Sequence, residues 1–308
     1  MADTFGWVGK MALIDLTSKS CELLATTDYK KFIGGKGINQ YLLLKNVSPG
    51  VDAHSPENML LIGAGPLVGT LAPAGCRTSI DTINALTGGT ASANCGGFFA
   101  SELKYAGFDH LLIVGKASKP VYLFIHDGMV EFRDAKPLRG LSTWETESYI
   151  RNELNDVKVR VLSIGPAGEN LLSTACIITE NGRAAAKGGT GSVMGSKNLK
   201  AIAAKIADSS GCRIELEEES IPVDPEVKGF ADILGLDPLY MGNEGKMIAV
   251  VPADQAEKAL EVMKATEHGK NAAVIGSASE GGGTFLKTHL GATRRVDALY
   301  GEGLPRIC

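Results

Sequence analysis

Several glycine-rich loops in the first two thirds of the sequence carry residues that suit phosphate binding. Arg77 follows a Gly-Cys pair, Asn94 precedes Cys95-Gly96-Gly97, and Arg183 opens the run Arg183-Ala-Ala-Ala-Lys187, which leads into two more glycines. Backbone N–H groups beside glycine and the fork of an arginine guanidinium both bind phosphate oxygens. One such loop alone is more simply a turn beside a solvated arginine. The set of loops indicates an anion-binding site.

Other phosphate- and metal-binding motifs fit the sequence less well. No glycine-rich loop has the Gly-x-Gly-x-x-Gly spacing, with an acidic residue further on, that a dinucleotide-binding fold requires. Gly195-Ser-Lys197 has the letters of a nucleotide phosphate-binding loop in the wrong order. The cysteines include no Cys-x-x-Cys pair, which argues against a disulfide framework and a zinc site; they are Cys21, Cys76, Cys95, Cys176, Cys212 and Cys308.

Charge and hydropathy exclude two further classes of partner. The 308 residues carry a net charge of −4, whereas a nucleic-acid-binding protein presents a basic face. No apolar run approaches the ~20 residues of a membrane helix, and the N-terminus lacks a secretory pattern. We therefore expect a cytoplasmic protein with no nucleic-acid and no membrane partner. The charge is uneven, because residues 209–308 are acidic and residues 1–208 nearly neutral.

The elements that must position these loops alternate between strands and helices. Apolar runs predict strands at Lys10–Leu16, Met59–Ile62, Arg77–Asn84, His110–Gly115, Val121–His126 and Val159–Ile164. A helix is predicted from Asp28, which would cap it, and continues over Ile38–Lys45 after a glycine interruption. Another is predicted over Thr143–Leu154 with Thr143 as N-cap. Strands interleaved with helices predict an α/β or α+β domain.

The residue pattern and the charge balance of the sequence change near Asp208. This change predicts two domains, at residues 1–208 and 209–308. Strands are predicted in the second part at Ile214–Ser220, Lys246–Val251, Ala272–Gly276 and Thr284–Thr288. Helices are predicted at Pro225–Leu234, where proline suits the first turn, and at Ala253–Thr266. This order predicts a small α+β sandwich.

Longer motifs in the first part occur in a recognisable order. They include Ser55-Pro-Glu-Asn58, Gly63-Ala-Gly-Pro-Leu67, Ala93-Asn-Cys-Gly-Gly97, Glu102-Leu-Lys-Tyr-Ala-Gly-Phe-Asp109, Ser163-Ile-Gly-Pro-Ala-Gly-Glu-Asn170 and Gly191-Ser-Val-Met-Gly-Ser-Lys-Asn-Leu-Lys-Ala-Ile202. Residues 1–205 thereby resemble the N-terminal domain of the aldehyde:ferredoxin oxidoreductase family, tungsten enzymes with a bis-pterin cofactor. The resemblance implies an α+β fold whose mixed sheet binds the pterin.

The resemblance also implies roles for individual residues. The cofactor-binding positions would be Arg77, Asn94, Gly96, Arg183, Ala184 and Ala186. The Asn94 side chain and the Ala184 carbonyl would suit a magnesium ion that bridges two pterin phosphates, because magnesium prefers hard oxygen ligands. The metal of the cofactor would be tungsten or, in an analogue, molybdenum. Ferredoxin would be the electron acceptor and aldehydes the substrates.

Three departures from the family pattern affect these expectations. Lys187 stands where the family often has arginine, and lysine lacks the bidentate fork. Cys76 and Cys95 stand where small residues are common, and we interpret them as small buried residues rather than ligands. The family's 4Fe-4S cluster is held around a Cys-x-x-Cys spacing in later domains, so it is not expected here.

The second part carries motifs of a different kind. They are Ile221-Pro-Val223, Leu234-Gly-Leu-Asp-Pro-Leu-Tyr240, Asn243-Glu-Gly-Lys246, Ala273-Val-Ile-Gly276 and the terminal Leu304-Pro-Arg-Ile-Cys308. They resemble the C-terminal part of HypE, the carbamoyl dehydratase of nickel–iron hydrogenase maturation. The resemblance implies that Cys308 is a carrier thiol, with a carbamoyltransferase as partner.

Three hypotheses remain open from the sequence. The chain is the pterin-binding domain of an aldehyde-oxidising enzyme, incomplete for catalysis alone, or a carrier that acts through Cys308, or an inactive chimera of the two. The first part would normally bury one face under later domains. We therefore expect an exposed apolar or cofactor-facing surface unless a partner or a homodimer covers it.

Overall fold

The computed structural model describes residues 6–70, 72, 75–180, 182–205, 212–235, 237–240, 248, 250–281 and 283–296. The chain divides into two compact units, Met1–Ala207 and Asp208–Cys308. The predicted junction around residues 208–211 lies outside the described residues.

The first unit contains two six-stranded mixed sheets. The strands of one sheet are β1 (Lys10–Asp15), β2 (Ser20–Ala25), β3 (Leu60–Ala64), β4 (Thr78–Ile83), β5 (Thr90–Cys95) and β6 (His110–Val114). Their order is β2-β1-β6-β3-β4-β5, in which β1 and β6 are parallel and the other neighbours antiparallel. Two helices lie against this sheet, α1 (Lys36–Asn46) and α2 (Phe99–Tyr105). Strand β5 is thus at an edge.

The second sheet follows in the chain. Its strands are β7 (Val121–His126), β8 (Met129–Asp134), β9 (Arg160–Ser163), β10 (Ile177–Thr179), β11 (Arg183–Ala185) and β12 (Leu199–Ala204). Their order is β11-β10-β9-β12-β7-β8, with β7 and β12 parallel. The helices between these strands are α3 (Thr143–Glu153), α4 (Pro166–Glu169) and α5 (Thr190–Ser196). Strand β11 is at an edge and lies beside β5 of the first sheet.

The two sheets share one hydrophobic core. Strands β3 and β12 are buried along their whole length, because both are covered on both faces and, except for Lys200, consist of apolar residues and glycine. The core joins side chains from both sheets and from the helices α2 and α5, which include Ile62, Leu111, Phe99, Leu123, Val193 and Ile202. Burial of such side chains contributes roughly 1.5–3 kcal/mol each, so the sheets are held in a fixed relation. This relation positions β5 against β11.

The second unit is a four-stranded mixed sheet with two helices. Its strands are β13 (Cys212–Glu217), β14 (Gly276–Glu280), β15 (Thr284–Lys287) and β16 (Thr293–Arg295), in the order β14-β13-β15-β16. The helices are α6 (Pro225–Leu234) and α7 (Ala256–Lys264). Among its described apolar side chains only Ala231 and Leu286 are fully buried. The predicted α+β class is confirmed for both units.

Short turns of 3₁₀-helix connect several of these elements. They are Thr26–Phe32, Lys136–Leu138, Lys187–Gly189, Glu218–Ser220, Pro238–Tyr240 and Ala253–Gln255. In the part of the chain that the structure describes, none of the helices combines the length and the apolar character that a membrane crossing needs.

Most predicted elements in the first unit are confirmed, but two helix starts are wrong. The predicted cap Asp28 lies inside the turn Thr26–Phe32, which Ala25 precedes without a side-chain cap. Helix α3 is capped by Ser142 rather than Thr143. The Ser142 hydroxyl accepts from the Glu145 N–H, while the Glu145 carboxylate accepts from the Ser142 N–H. Such a reciprocal pair requires a glutamate three residues after the cap. Glu145 stands three residues after Ser142, but only two after Thr143.

Two predicted strands in the second unit are wrong where the structure describes them. Ile248, Val250 and Val251 belong to no strand, although the other residues of Lys246–Val251 lie outside the described part. The segment 272–275 is irregular, and the strand begins at Gly276 and runs to Glu280. Apolar composition alone predicted both. The second segment does approach strand β13, because the Ile275 carbonyl accepts the Glu217 N–H, but the strand itself starts one residue later.

Candidate phosphate-binding site

Arg77 and Asn94 meet at the open end of the β4–β5 hairpin. Arg77 immediately precedes β4, and Asn94 is the penultimate residue of β5, opposite Ser79. The Nη1 atom of Arg77 donates a hydrogen bond to Oδ1 of Asn94 over 2.5 Å. Both side chains are exposed. The first sheet therefore presents one oriented guanidinium at its edge.

Arg183 approaches the same place from the second sheet. It begins the edge strand β11, and its side chain lies along the Gly96–Gly97 turn that follows β5. A Cβ atom at Gly96 would lie 3.3 Å from Nη1 of Arg183, and one at Gly97 would lie 3.0 Å from its Cδ. Gly97 also has φ +104°, which residues with a Cβ avoid. Both glycines are therefore required by the close approach of this arginine.

Glu180 lies between these two elements, although its place in the sequence did not predict a role in the site. Its Oε1 atom accepts a hydrogen bond from the N–H of Phe98, and its Oε2 lies 3.8 Å from Nε of Arg183. The side chain is only 10% exposed. No sequence motif marks Glu180, because one of its partners, Phe98, is distant in the sequence and becomes its neighbour only through folding.

The thiol of Cys95 is buried next to the site and has low reactivity. Burial raises the pKa of Cys95 to about 11, and the nearby Glu180 carboxylate adds to the rise, against the opposing effect of Arg77 and Arg183. A thiol with this pKa stays protonated at neutral pH and is a poor nucleophile. The interpretation of Cys95 as a small buried residue is thus supported, whereas Cys76 is only partly buried.

The turn Lys187–Gly189 fastens the end of β11 to the first sheet. A Cβ atom at Gly188 would lie 2.3 Å from Cβ of Ala91 on β5. The N–H of Ala85 donates to the Gly188 carbonyl at 3.2 Å. Glycine at position 188, with φ +82°, lets the two backbones come this close. The two sheet edges are thereby held together on both sides of Arg183.

The structure brings together four of the six predicted cofactor-binding residues directly, namely Arg77, Asn94, Gly96 and Arg183. Ala184 is exposed on β11 opposite Ile178, and the exposed Ala186 follows the strand. Both therefore lie next to the site along the chain. Cys308, the predicted carrier thiol, lies outside the described residues.

The geometry agrees with a sequence comparison. The profile of a family described as aldehyde ferredoxin oxidoreductase, N-terminal domain, matches residues 11–206. The chain belongs to this family. A second profile, described as AIR synthase related protein, C-terminal domain, matches residues 201–289. Both resemblances found in the sequence are thus confirmed at the level of family.

Curated relatives of two kinds match this chain, each over a different part of it. The tungsten-containing aldehyde ferredoxin oxidoreductase of Pyrococcus furiosus is 53% identical over 174 residues, which is 56% of this chain and 29% of that protein. The Pyrococcus abyssi enzyme of the same name is 48% identical over 200 residues, 64% of this chain and 33% of the relative. Carbamoyl dehydratase HypE of Rhodobacter capsulatus is 45% identical over 106 residues, 34% of this chain and 31% of the relative. The chain spans about a third of the length of each of these relatives.

A solved structure shows the same fold for the family domain. The active-site complex BamBC of benzoyl coenzyme A reductase, in complex with 1,5-dienoyl-CoA, superposes with a TM-score of 0.64 at 40% identity. The match covers 66% of this chain and 31% of that one.

The donor set of the site fits a phosphate-bearing group of the kind that the family implies. Two exposed guanidiniums flank a turn that has no side chains, so oxygen atoms can approach both. The amide oxygen of Asn94 is a hard ligand. In the described residues no three or more His, Cys, Asp or Glu side chains are grouped to hold a metal ion. A magnesium ion held by Asn94 and the Ala184 carbonyl would therefore draw its other ligands from phosphate and water.

Proposed function

We propose that the first unit binds the phosphate groups of a tungsten bis-pterin cofactor, or of its molybdenum analogue. The protein would thereby supply the cofactor-binding part of a cytoplasmic enzyme that oxidises aldehydes to carboxylates and passes electrons to ferredoxin. The observation that carries the proposal is the convergence of Arg77 and Arg183, from two different sheets, on the Gly96–Gly97 turn. The bound cofactor would supply the redox-active metal.

The residues of the site divide the task of binding. The guanidiniums of Arg77 and Arg183 would each pair with phosphate oxygens, and charge-assisted bonds of this kind are roughly twice as strong as neutral ones. Gly96 keeps the space between them clear. Asn94 orients Arg77 and offers its amide oxygen to magnesium. Lys187, exposed after β11, adds positive charge without the directional fork of an arginine.

The proposal is tested by the cofactor content of the purified chain. The protein is produced in a host that loads tungsten–pterin enzymes, and tungsten, molybdenum and pterin are measured per chain. We expect pterin and metal in the wild type and a loss of most of both in the double variant Arg77→Gln, Arg183→Gln. The variant Arg139→Gln removes an exposed arginine elsewhere in the unit and should retain them. A wild-type chain without pterin, from a host that loads a full-length family member, would refute the proposal.

A second proposal concerns residues 209–308. Their similarity to HypE and the terminal sequence Leu304-Pro-Arg-Ile-Cys308 support a carbamoyl carrier that acts through the Cys308 thiol. The test is intact-mass measurement after incubation with a carbamoyltransferase and its substrates. A gain equal to one carbamoyl group, absent in Cys308→Ser, is expected, and an unmodified wild type excludes this function. A chain that fails both tests is the inactive combination of the two families.

A further inference from the structure

The carboxylate of Glu180 connects the two sheet edges that form the site. One oxygen accepts the N–H of Phe98, directly after the Gly96–Gly97 turn, and the other faces Nε of Arg183 at 3.8 Å. Because this side chain is 90% withdrawn from solvent, water does not readily replace either contact. Glu180 therefore links Arg183 to the end of β5.

The backbone of Glu180 adds an independent observation. Its φ of +45° lies in the left-handed region, which is unfavourable for a residue with a Cβ. Glycine, asparagine or aspartate would suit the position better on backbone grounds. Such outliers persist where the surrounding structure requires them and justify a hypothesis of function. Here the unfavourable conformation accompanies a side chain that is directed back onto Phe98.

The negative charge of Glu180 does not by itself favour the binding of an anion at this site. A carboxylate beside Arg183 repels an incoming phosphate and lowers the attraction of the site for any anion. Its contribution must therefore lie in geometry. The Arg183 side chain is 51% exposed and would otherwise be distributed over several rotamers, which costs entropy when it is fixed by a ligand.

Both guanidiniums are held by the short segment Asn94–Phe98. Arg77 bonds to Asn94 near the end of β5, and Arg183 faces Glu180, which accepts the N–H of Phe98 at the start of helix α2. A fixed reference sets the distance between the two guanidiniums. Two cations at a fixed distance select a ligand that has two phosphate groups over a ligand that has one.

We propose that Glu180 is a positioning residue that fixes the spacing of Arg77 and Arg183 and thereby makes the site prefer a diphosphate-type ligand to a single phosphate. The inference rests on the proposed phosphate-binding function. It assigns to Glu180 no contact with the ligand.

Three variants of the full chain separate geometry from charge. Glu180→Gln keeps an acceptor for the Phe98 N–H and loses the charge. Glu180→Asp keeps the charge but is too short to reach the Phe98 N–H, and Glu180→Ala loses both. Dissociation constants for inorganic phosphate and for pyrophosphate are measured by calorimetry for each variant and for the wild type, with thermal unfolding as a check of folding.

We expect all three variants to bind pyrophosphate about tenfold more weakly, as for the loss of one hydrogen bond to a charged group. Glu180→Gln belongs with them because its oxygen can accept the Phe98 N–H, but its NH2 group would then face the N–H of Arg183 and cannot accept from it. Phosphate binding should change much less, so the preference for pyrophosphate falls. A general loss of stability would weaken both ligands alike and leave the ratio unchanged. If Glu180→Ala does not fold, the Gln and Asp variants test the inference.

An unchanged ratio in every variant that folds, while Arg183→Gln still weakens binding, would overturn the inference alone. A wild type that does not bind pyrophosphate, with no effect of Arg183→Gln, would refute the proposed function and the inference together.

Discussion

The guanidinium of Arg77 donates to the side-chain oxygen of Asn94 at the open end of the β4–β5 hairpin. The bond orients the arginine, and it also draws on the oxygen that a magnesium ion would use. An amide oxygen has two lone pairs, so it can serve the arginine and a metal together. Asn94 is therefore placed to connect cation binding with phosphate binding.

Magnesium should tighten pyrophosphate binding in the wild type but not in Asn94→Ala. The variant loses the metal ligand and the partner of Arg77, so we expect binding several-fold weaker and independent of magnesium. Calorimetric titration with and without the ion measures both effects. Asn152→Ala, an exposed position on helix α3, is the matched control and should keep the magnesium response. A full response in Asn94→Ala would exclude the predicted metal site.

Gly97→Ala should lower both the stability and the anion affinity of the protein. The new Cβ would lie 2.7 Å from Oε2 of Glu180, at a φ of +104°. Strain of this kind costs about 1–3 kcal/mol, before the displacement of Glu180. Gly128→Ala is the control, because it has a similar positive φ of +73° and open space around the added methyl group. Urea unfolding should show a larger loss for Gly97→Ala, and only this variant should weaken pyrophosphate binding.

The cap of helix α3 offers a test in which sequence and structure disagree. Ser142→Ala should destabilise the first unit by about 1 kcal/mol, because it leaves the Glu145 N–H without its acceptor. Thr143→Ala, at the cap predicted from the sequence, should change the free energy of unfolding by much less. Equal losses in urea unfolding would show that the reciprocal hydrogen bonds of Ser142 contribute nothing.

Lys197 should give the stability a dependence on pH. Its amine is fully buried and donates to the carbonyls of Asn58 at 2.5 Å and Gly115 at 3.1 Å. Burial lowers the pKa of Lys197 from 10.5 to about 8, against the opposing effect of Asp15. Between pH 8 and 10.5 the folded chain thus binds fewer protons than the unfolded chain, so this group makes stability rise with pH.

The measurement compares the wild type with Lys197→Met in urea at pH 7 and pH 9. The free energy of unfolding of the wild type should rise relative to the variant by about 1 kcal/mol over this range. The difference removes the contribution of other groups that titrate in the same window. A wild type that loses stability relative to Lys197→Met as the pH rises would contradict the direction of this pKa shift.

Local patterns predicted the long elements well. Strand β7 and helix α6 have the predicted bounds, because an apolar run between turns and a proline at the first helical turn are local signals. Strands β5 and β11 were not predicted. Their residues are mostly small, and the short β11 exists because it pairs with β10 and lies beside β5. Strand formation there depends on contacts that a sequence window does not contain.

The candidate site was predictable only in part, for the same reason. The glycine-rich loops pointed to Arg77, Asn94 and Arg183, and the resemblance to a family gave them, together with Gly96, a role in cofactor binding. No local pattern predicted Glu180 as part of the site, because its hydrogen bond to Phe98 joins residues that are 82 positions apart in the sequence. Lys197 looked like a fragment of a phosphate-binding loop, and it is instead a buried structural cation. Only packing distinguishes these roles.

Because the site is divided between two sheets, its residues are synthesised at different times. Arg77 and Asn94 leave the ribosome about ninety residues before Arg183, and the fastening turn Lys187–Gly189 comes later still. During synthesis, which adds roughly 5–20 residues per second, a folded first sheet would carry only half of the site. On the proposed function, the complete phosphate site forms only when the second sheet has closed against the first. The cofactor would then be captured after both sheets have folded rather than during the synthesis of the first.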